Sequence, residues 1–250
     1  MGLVGGPLTT LFCGARLVFF SPMSFLQNPL LWIKAISQHR ATHTESPNFG
    51  YEFLLRNLDN KLANVEEPLK GIDLSSLSHV LFGGEMMQHR TFERLADQLH
   101  GAGLRAEVMM NIFGAAEATL FLAGGGLNNT PLLSVDTYTL ETKRRATPCS
   151  PNLSSTTTLI GCGIAKFESD LRIVDPSSTR LLPDGEVGEI WLSSPSVSKG
   201  YWGRSSEEND LIFRARVAGD PAPLRTYLRT GDLGFIERGV LYICTSEEKK

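Results

Sequence analysis

The chain has 250 residues, with 24 Lys+Arg against 27 Asp+Glu and a formal net charge of −3. Apolar residues make up 42% and charged residues 20%, a balance that excludes wholesale disorder and leaves ample material for a buried core. So small a charge gives no electrostatic case for nucleic acid or an anionic membrane as the main partner.

Four cysteines, Cys13, Cys149, Cys162 and Cys244, are scattered without metal-ligand spacing. They read as free thiols of an intracellular protein, cytoplasmic or within an organelle. Residues 1–7 are apolar and Gly-rich but lack the basic region that opens a signal peptide. Gly, Pro and Arg16 interrupt the run well short of a membrane span. The chain is expected to open inside an element whose upstream partners are missing.

In chain order, residues 8–12 read as a short helix closed by Gly14, residues 16–20 as a strand, and Ser21-Pro22 as a turn. Asn28-Pro29 starts a helix that puts Trp32, Ile33 and Ile36 on one side and runs to about His39. Residues 41–45 form a candidate strand. Ser46-Pro47 starts a helix with Phe49, Phe53 and Leu54 at helical spacing. Residues 79–82 read as a strand, 91–100 as a helix and 108–112 as a buried strand. This alternation predicts an α/β fold with a doubly wound, mainly parallel sheet over about residues 1–125.

From Gly124 the texture changes. Gly124, Gly125 and Gly126, then Asn128-Asn129-Thr130-Pro131, read as a loop, and residues 154–158 as a polar loop. Residues 171–174, 188–192 and a 234–244 hairpin about Arg238-Gly239 read as strands joined by turns. Residues 126–250 are therefore expected to form an antiparallel β subdomain.

Phe113-Gly114-Ala115-Ala116-Glu117 follows a buried strand, where an aromatic ring, a glycine and an acid suit a nucleotide site. The ring can stack on a base and the acid can hold Mg²⁺ on a phosphate. The plain structural reading is a strand–turn–helix with a solvated glutamate. Gly83-Gly84-Glu85 also ends a strand, and Asp232 in Leu228-Arg229-Thr230-Gly231-Asp232 could accept hydrogen bonds from vicinal ribose hydroxyls. Gly200-Tyr201-Trp202 reads as structural.

Taken in order, these stretches resemble the adenylate-forming (ANL) superfamily, and within it the fatty acyl-AMP ligases. The resemblance runs through residues 1–6, 21–26, 47–49, 83–85, 113–119, 188–191, 200–202 and 228–234. The Ala-Glu-Ala-Thr of residues 116–119 points to the acyl-AMP ligase branch. The resemblance implies that Phe113 stacks on adenine, helped by the backbone of Gly83, Gly84, Glu85, Gly114 and Ala116. It implies that Glu117 is catalytic through the Mg²⁺ that bridges ATP phosphates, and that Asp232 holds the ribose. Asn48, Phe49 and Tyr51 would lie near the acyl pocket, although Thr44-Glu45-Ser46 replaces the smaller residues usual there. The reaction implied is activation of a fatty acid by ATP, followed by transfer to an acyl carrier protein or to CoA.

The family's Gly/Ser/Thr-rich phosphate loop with its lysine, and the His-Asp pair before Met-Gly-Leu, do not occur here. Thr245-Ser246 stands where the family has its hinge Gly-Arg. The chain is therefore expected to be a central part of an adenylation domain, lacking the C-terminal domain and having little ligase activity alone. Two alternatives stand beside it: a non-catalytic binder of nucleotide or acyl-adenylate that serves as a scaffold, and a segment of a long-chain acyl-CoA synthetase.

Overall fold

The computed structural model describes residues 2–64, 67–125, 130–220 and 224–246, the side chains of Thr245 and Ser246 excepted. Gly126, Asn128 and Asn129 of the expected loop, and residues 247–250 of the tail, lie outside the described residues. The described chain divides into two compact units, residues 2–111 and residues 112–125 with 130–246.

In the first unit, α1 (Thr9–Cys13) ends at Gly14, whose φ of 62° closes the helix in the left-handed region. Residues 16–20, expected as a strand, form none. Their apolar composition suits a strand, but they pair with no described strand, and Phe19 is 82% exposed. The expected Ser21-Pro22 turn is instead a helix start. Ser21 Oγ accepts from the Ser24 amide at 3.1 Å, and Pro22 opens α2 (Pro22–Gln27). Next, α3 (Leu30–His39) buries Leu30, Ile33 and Ile36, while half-buried Trp32 donates its indole N–H to Thr44 Oγ1 at 2.8 Å.

Next come β1 (His43–Ser46), α4 (Asn48–Ala63), β2 (His79–Phe82), α5 (His89–His100) and β3 (Met109–Gly114). β1 pairs with β2, and β2 with residues 109–111 of β3, both in parallel. A parallel pair needs a crossover, and α4 and α5 supply the two. Tyr51, Leu54, Leu55 and Leu58 recur at i, i+3, i+4 and i+7 along α4 and are buried. Each such leucine stabilises the unit by roughly 1.5–3 kcal/mol. The apolar void among Trp32, Tyr51, Leu54 and Leu99 is about 20 Å³, room for about one water.

In the second unit, residues 112–114 of β3 pair antiparallel with β4 (Phe121–Gly124). β5 (Leu132–Asp136) leads into α6 (Thr137–Lys143), capped by Asp136 Oδ1 accepting from the Thr139 amide at 2.8 Å. It then pairs antiparallel with β6 (Thr156–Ile160). Thr156, Thr157 and Thr158, expected in a loop, are therefore strand. Threonine is β-branched and suits a pleated surface, and Thr158 meets Ser134 across the pair at 3.0 Å. β7 (Ile164–Ala165) extends the β4 edge. β8 (Asp170–Val174), β9 (Gly188–Ser193), β10 (Leu228–Glu237) and β11 (Val240–Ser246) form an antiparallel sheet in the order β11-β10-β9-β8, with α7 (Ser206–Phe213) between β9 and β10. The β10–β11 hairpin turns at Arg238 (φ 52°) and Gly239 (φ 78°), as the sequence led one to expect.

His43 and His79 are register partners across β1 and β2, and their rings stack with centroids 4.4 Å apart. Burial first, then His79, lowers the His43 pKa from its ordinary value. Near that value the unfolded chain binds the extra proton more readily than the folded chain, so stability rises with pH there. The contribution is fully present above the unfolded pKa of about 6.5 and is lost as pH falls below it. We expect the melting temperature to drop between pH 7.5 and 5.5, and the drop to shrink in His79→Asn; equal drops in both proteins would contradict a paired origin.

Candidate functional site

The end of β3 is shaped by one glycine. A Cβ on Gly114 would lie 1.7 Å from the Leu120 carbonyl oxygen, so the chain can fold back on β4 only with glycine here. Between them a single 3₁₀ turn, Ala116–Ala118, carries Glu117, and Ala118 is buried beneath it. Thr119 completes the return at φ 76°, a conformation that costs a β-branched residue of order 1–3 kcal/mol.

Glu117 is held from elsewhere in the unit. Its carbonyl accepts from the Ser198 amide at 2.7 Å, and its Oε1 accepts from the Tyr201 hydroxyl at 2.5 Å. Burial and then this bond push the Tyr201 pKa up to about 12. Tyr201 is clamped in turn by Asn209, whose Oδ1 accepts from the Tyr201 amide at 2.7 Å and whose Nδ2 donates to its carbonyl at 3.2 Å. Asn209 stands in the first turns of α7, which opens with a capping box between Ser205 and Glu208. The Gly200-Tyr201-Trp202 stretch, read from sequence as structural, thus supplies a direct partner of Glu117. The Ser-x-x-Glu spacing of residues 205–208 was the available signal.

Phe113 is also placed at this end of β3, but its ring is only 4% exposed and packs among Leu122, Ala123, Ile190 and Leu228. The ring closes the core beneath the turn, in a stretch of β3 where Asn111, Ile112 and Phe113 are all buried.

Asp232 lies on β10, where the pairing with β9 shifts register between Arg229 and Leu233 and Gly231 takes φ 75°. A buried carboxylate fixes this bulge. Glu189, 5% exposed, accepts at Oε2 from Arg229 Nε (3.0 Å), Arg229 Nη2 (2.8 Å) and Trp191 Nε1 (2.9 Å). Its Oε1 accepts from the Gly231 amide at 3.1 Å. Thr230 Oγ1 donates to the Ile190 carbonyl at 2.7 Å and accepts from the Asp232 amide at 3.1 Å. Asp232 is therefore positioned by its neighbours' polar bonds.

The remaining expected residues belong to the first unit. Gly83 is buried and Gly84, at φ 87°, turns the chain at the end of β2. Glu85 Oε1 accepts from the Phe49 amide at 2.6 Å, capping α4 where the Pro47 ring has no acceptor to offer. Asn48 Oδ1 accepts from the Gln88 amide at 3.2 Å. Tyr51 is 2% exposed and donates to the Leu81 carbonyl at 3.0 Å. The ring is core and its hydroxyl is spent on backbone. Phe49 is 60% exposed.

No cluster of three or more His, Cys, Asp or Glu exists among the described residues, which excludes a dedicated protein cage there. Mg²⁺ is usually bound by one or two carboxylates together with substrate phosphates, and a single fixed carboxylate such as Glu117 fits that role. None of the described helices is long and apolar enough to cross a membrane, and all four cysteines are free.

The family model for the AMP-binding enzyme matches residues 1–202. The chain belongs to the AMP-binding enzyme family. Among its relatives, the long-chain-fatty-acid–AMP ligase FadD26 of Mycobacterium marinum is 34% identical over 97% of this chain and 41% of the relative. The medium-chain-fatty-acid–[acyl-carrier-protein] ligase TtuA of Teredinibacter turnerae is 33% identical over 97% of this chain and 37% of the relative. A crystal structure of fatty acyl-adenylate ligase from L. pneumophila, in complex with acyl adenylate and pyrophosphate, superposes with a TM-score of 0.89 at 34% identity. It covers 98% of this chain and 41% of that one. The chain thus spans about two-fifths of the length of its relatives, and its α/β architecture is that of the N-terminal part of adenylate-forming enzymes.

Two substitutions test the geometry. Gly114→Ala should lower unfolding stability by about 1–3 kcal/mol through forced displacement of the Leu120 carbonyl, read as a lower urea midpoint. Glu189→Gln leaves Arg229 without its counter-charge and should cost about 3 kcal/mol by the same measurement. A wild-type midpoint in either variant would contradict the corresponding contact.

Proposed function

We propose that this chain provides part of the site at which a fatty acid is activated by ATP in a fatty acyl-AMP ligase. The observation that carries this reading is the fixed Glu117 carboxylate at the end of β3, in a chain of the AMP-binding enzyme family. The fatty acid carboxylate attacks the α-phosphorus of ATP. A P–O bond to the leaving group breaks, and pyrophosphate departs with the electron pair. In the second step a thiol attacks the acyl carbonyl, AMP leaves, and the thiol proton is released. The thiol is that of a carrier protein's phosphopantetheine, as the names of TtuA and its like suggest for those relatives. CoA is the alternative acceptor.

Glu117 would hold Mg²⁺, which, when bound, neutralises phosphate charge as it develops. The contribution of the second unit's own residues is positional: Asp232 accepts from the ribose hydroxyls. Such catalysis rests on orientation and preorganised charge more than on covalent chemistry by the protein.

A non-hydrolysable acyl-sulfamoyl adenosine should raise the melting temperature of the chain by a few degrees, and Asp232→Asn should remove most of that rise. No shift in the wild-type chain at saturating analogue would sink the reading. A shift without any ATP–pyrophosphate exchange, in the chain or a longer protein containing it, would favour a non-catalytic binder.

A further inference from the structure

We propose that Tyr201 is a positioning residue for the metal-binding carboxylate, an inference that rests on the adenylation reading of Glu117. A single 3₁₀ turn restrains the backbone of Glu117 but not its side chain, which has three rotatable bonds and is only half-buried. The structure supplies two separate restraints. The Ser198 amide holds the Glu117 carbonyl, and the Tyr201 hydroxyl holds Oε1 alone. The first fixes the turn. The second restrains the carboxylate while leaving lone pairs on it that can meet a cation.

Tyr201 is built to keep its hydroxyl in place. Its ring meets Phe213 edge-on with centroids 5.0 Å apart, and the Arg204 guanidinium lies 4.8 Å from its centroid. Its backbone is bonded on both sides to Asn209. Gly200, at φ 151°, permits that clamp, since a Cβ there would lie 2.5 Å from the Asn209 side chain. A ring packed only for stability would require none of the hydroxyl's geometry. Tyr201→Phe keeps the ring contacts, the Asn209 clamp and the Ser198 bond, and deletes only the restraint on Oε1.

The test uses the 250-residue chain with Mn²⁺, read by its electron paramagnetic resonance signal, and α,β-methylene-ATP. A metal-free arm uses acyl-sulfamoyl adenosine. In Tyr201→Phe, nucleotide-dependent Mn²⁺ binding should weaken by about tenfold, the loss expected for one hydrogen bond to a charged group. Metal-free analogue affinity and melting temperature should stay at wild-type values. In a Glu117→Gln background, adding Tyr201→Phe should cause no further loss, because the two act as one unit. Equal weakening in the metal-free arm would overturn the proposal in favour of a structural role, as would wild-type Mn²⁺ binding in the Phe variant. Both of those outcomes leave the adenylation reading standing. A wild-type chain that binds neither nucleotide nor analogue would overturn both.

Discussion

The arrangement at the end of β3 depends on a constraint of length. Three residues of 3₁₀ helix are enough to reverse the chain and too few to restrain the side chain they carry. Everything about Glu117 follows from that shortage. Gly114 must be bare so that β4 can return against it, and Thr119 accepts a conformation uncommon for a β-branched residue so that the turn can close. The carboxylate must then be held by a residue 84 positions away in sequence. That residue is aligned by a side chain of α7, and α7 is started by a capping box. A local helix signal near residue 205 therefore ends in the orientation of a carboxylate at residue 117.

The same logic recurs at Asp232. Here the anchor is a buried charge, and a buried carboxylate is tolerated only when its lone pairs are filled. Glu189 fills them with Arg229, Trp191 and Gly231, and the last of these bonds turns an electrostatic requirement into a backbone shape. The bulge in β10 exists where a strand amide is bonded to a side chain, instead of to its neighbour strand. Two acids of one unit are thus presented by irregular backbone, Glu117 held by Tyr201 and the bulge before Asp232 held by Glu189.

The first unit is organised differently. Its parallel strands and crossover helices close over an apolar core, in which the void among Trp32, Tyr51, Leu54 and Leu99 is about 20 Å³. Tyr51 belongs to that core. Glu85, expected to assist a base through its backbone, also uses its side chain to cap α4. Dual use of this kind couples the end of β2 to the start of the helix after β1.

Most element types were legible in the sequence because periodicity reports burial. The i, i+3, i+4, i+7 pattern of α4 and the apolar run of β3 each require one structure. Failures came where composition and environment diverge. Residues 16–20 have the side chains of a strand, but a strand is a paired object, and no described edge pairs with them. Residues 156–158 have the polarity of a loop, yet they pair with β5 and so become strand. The motifs also singled out Glu117 and Asp232 as candidates, since a glycine and an acid close together in sequence are a local feature.

What the sequence determined by itself was the family, the α/β-then-β order and the positions of the acids. Tertiary structure alone decided which aromatic serves which purpose. Phe113 turns inward and Tyr201 turns toward Glu117, because the facing of a ring is set by sheet pairing and by a helix far along the chain. No local pattern encodes that choice. It is made when distant elements compete for the same hydrogen-bond donors and the same buried space.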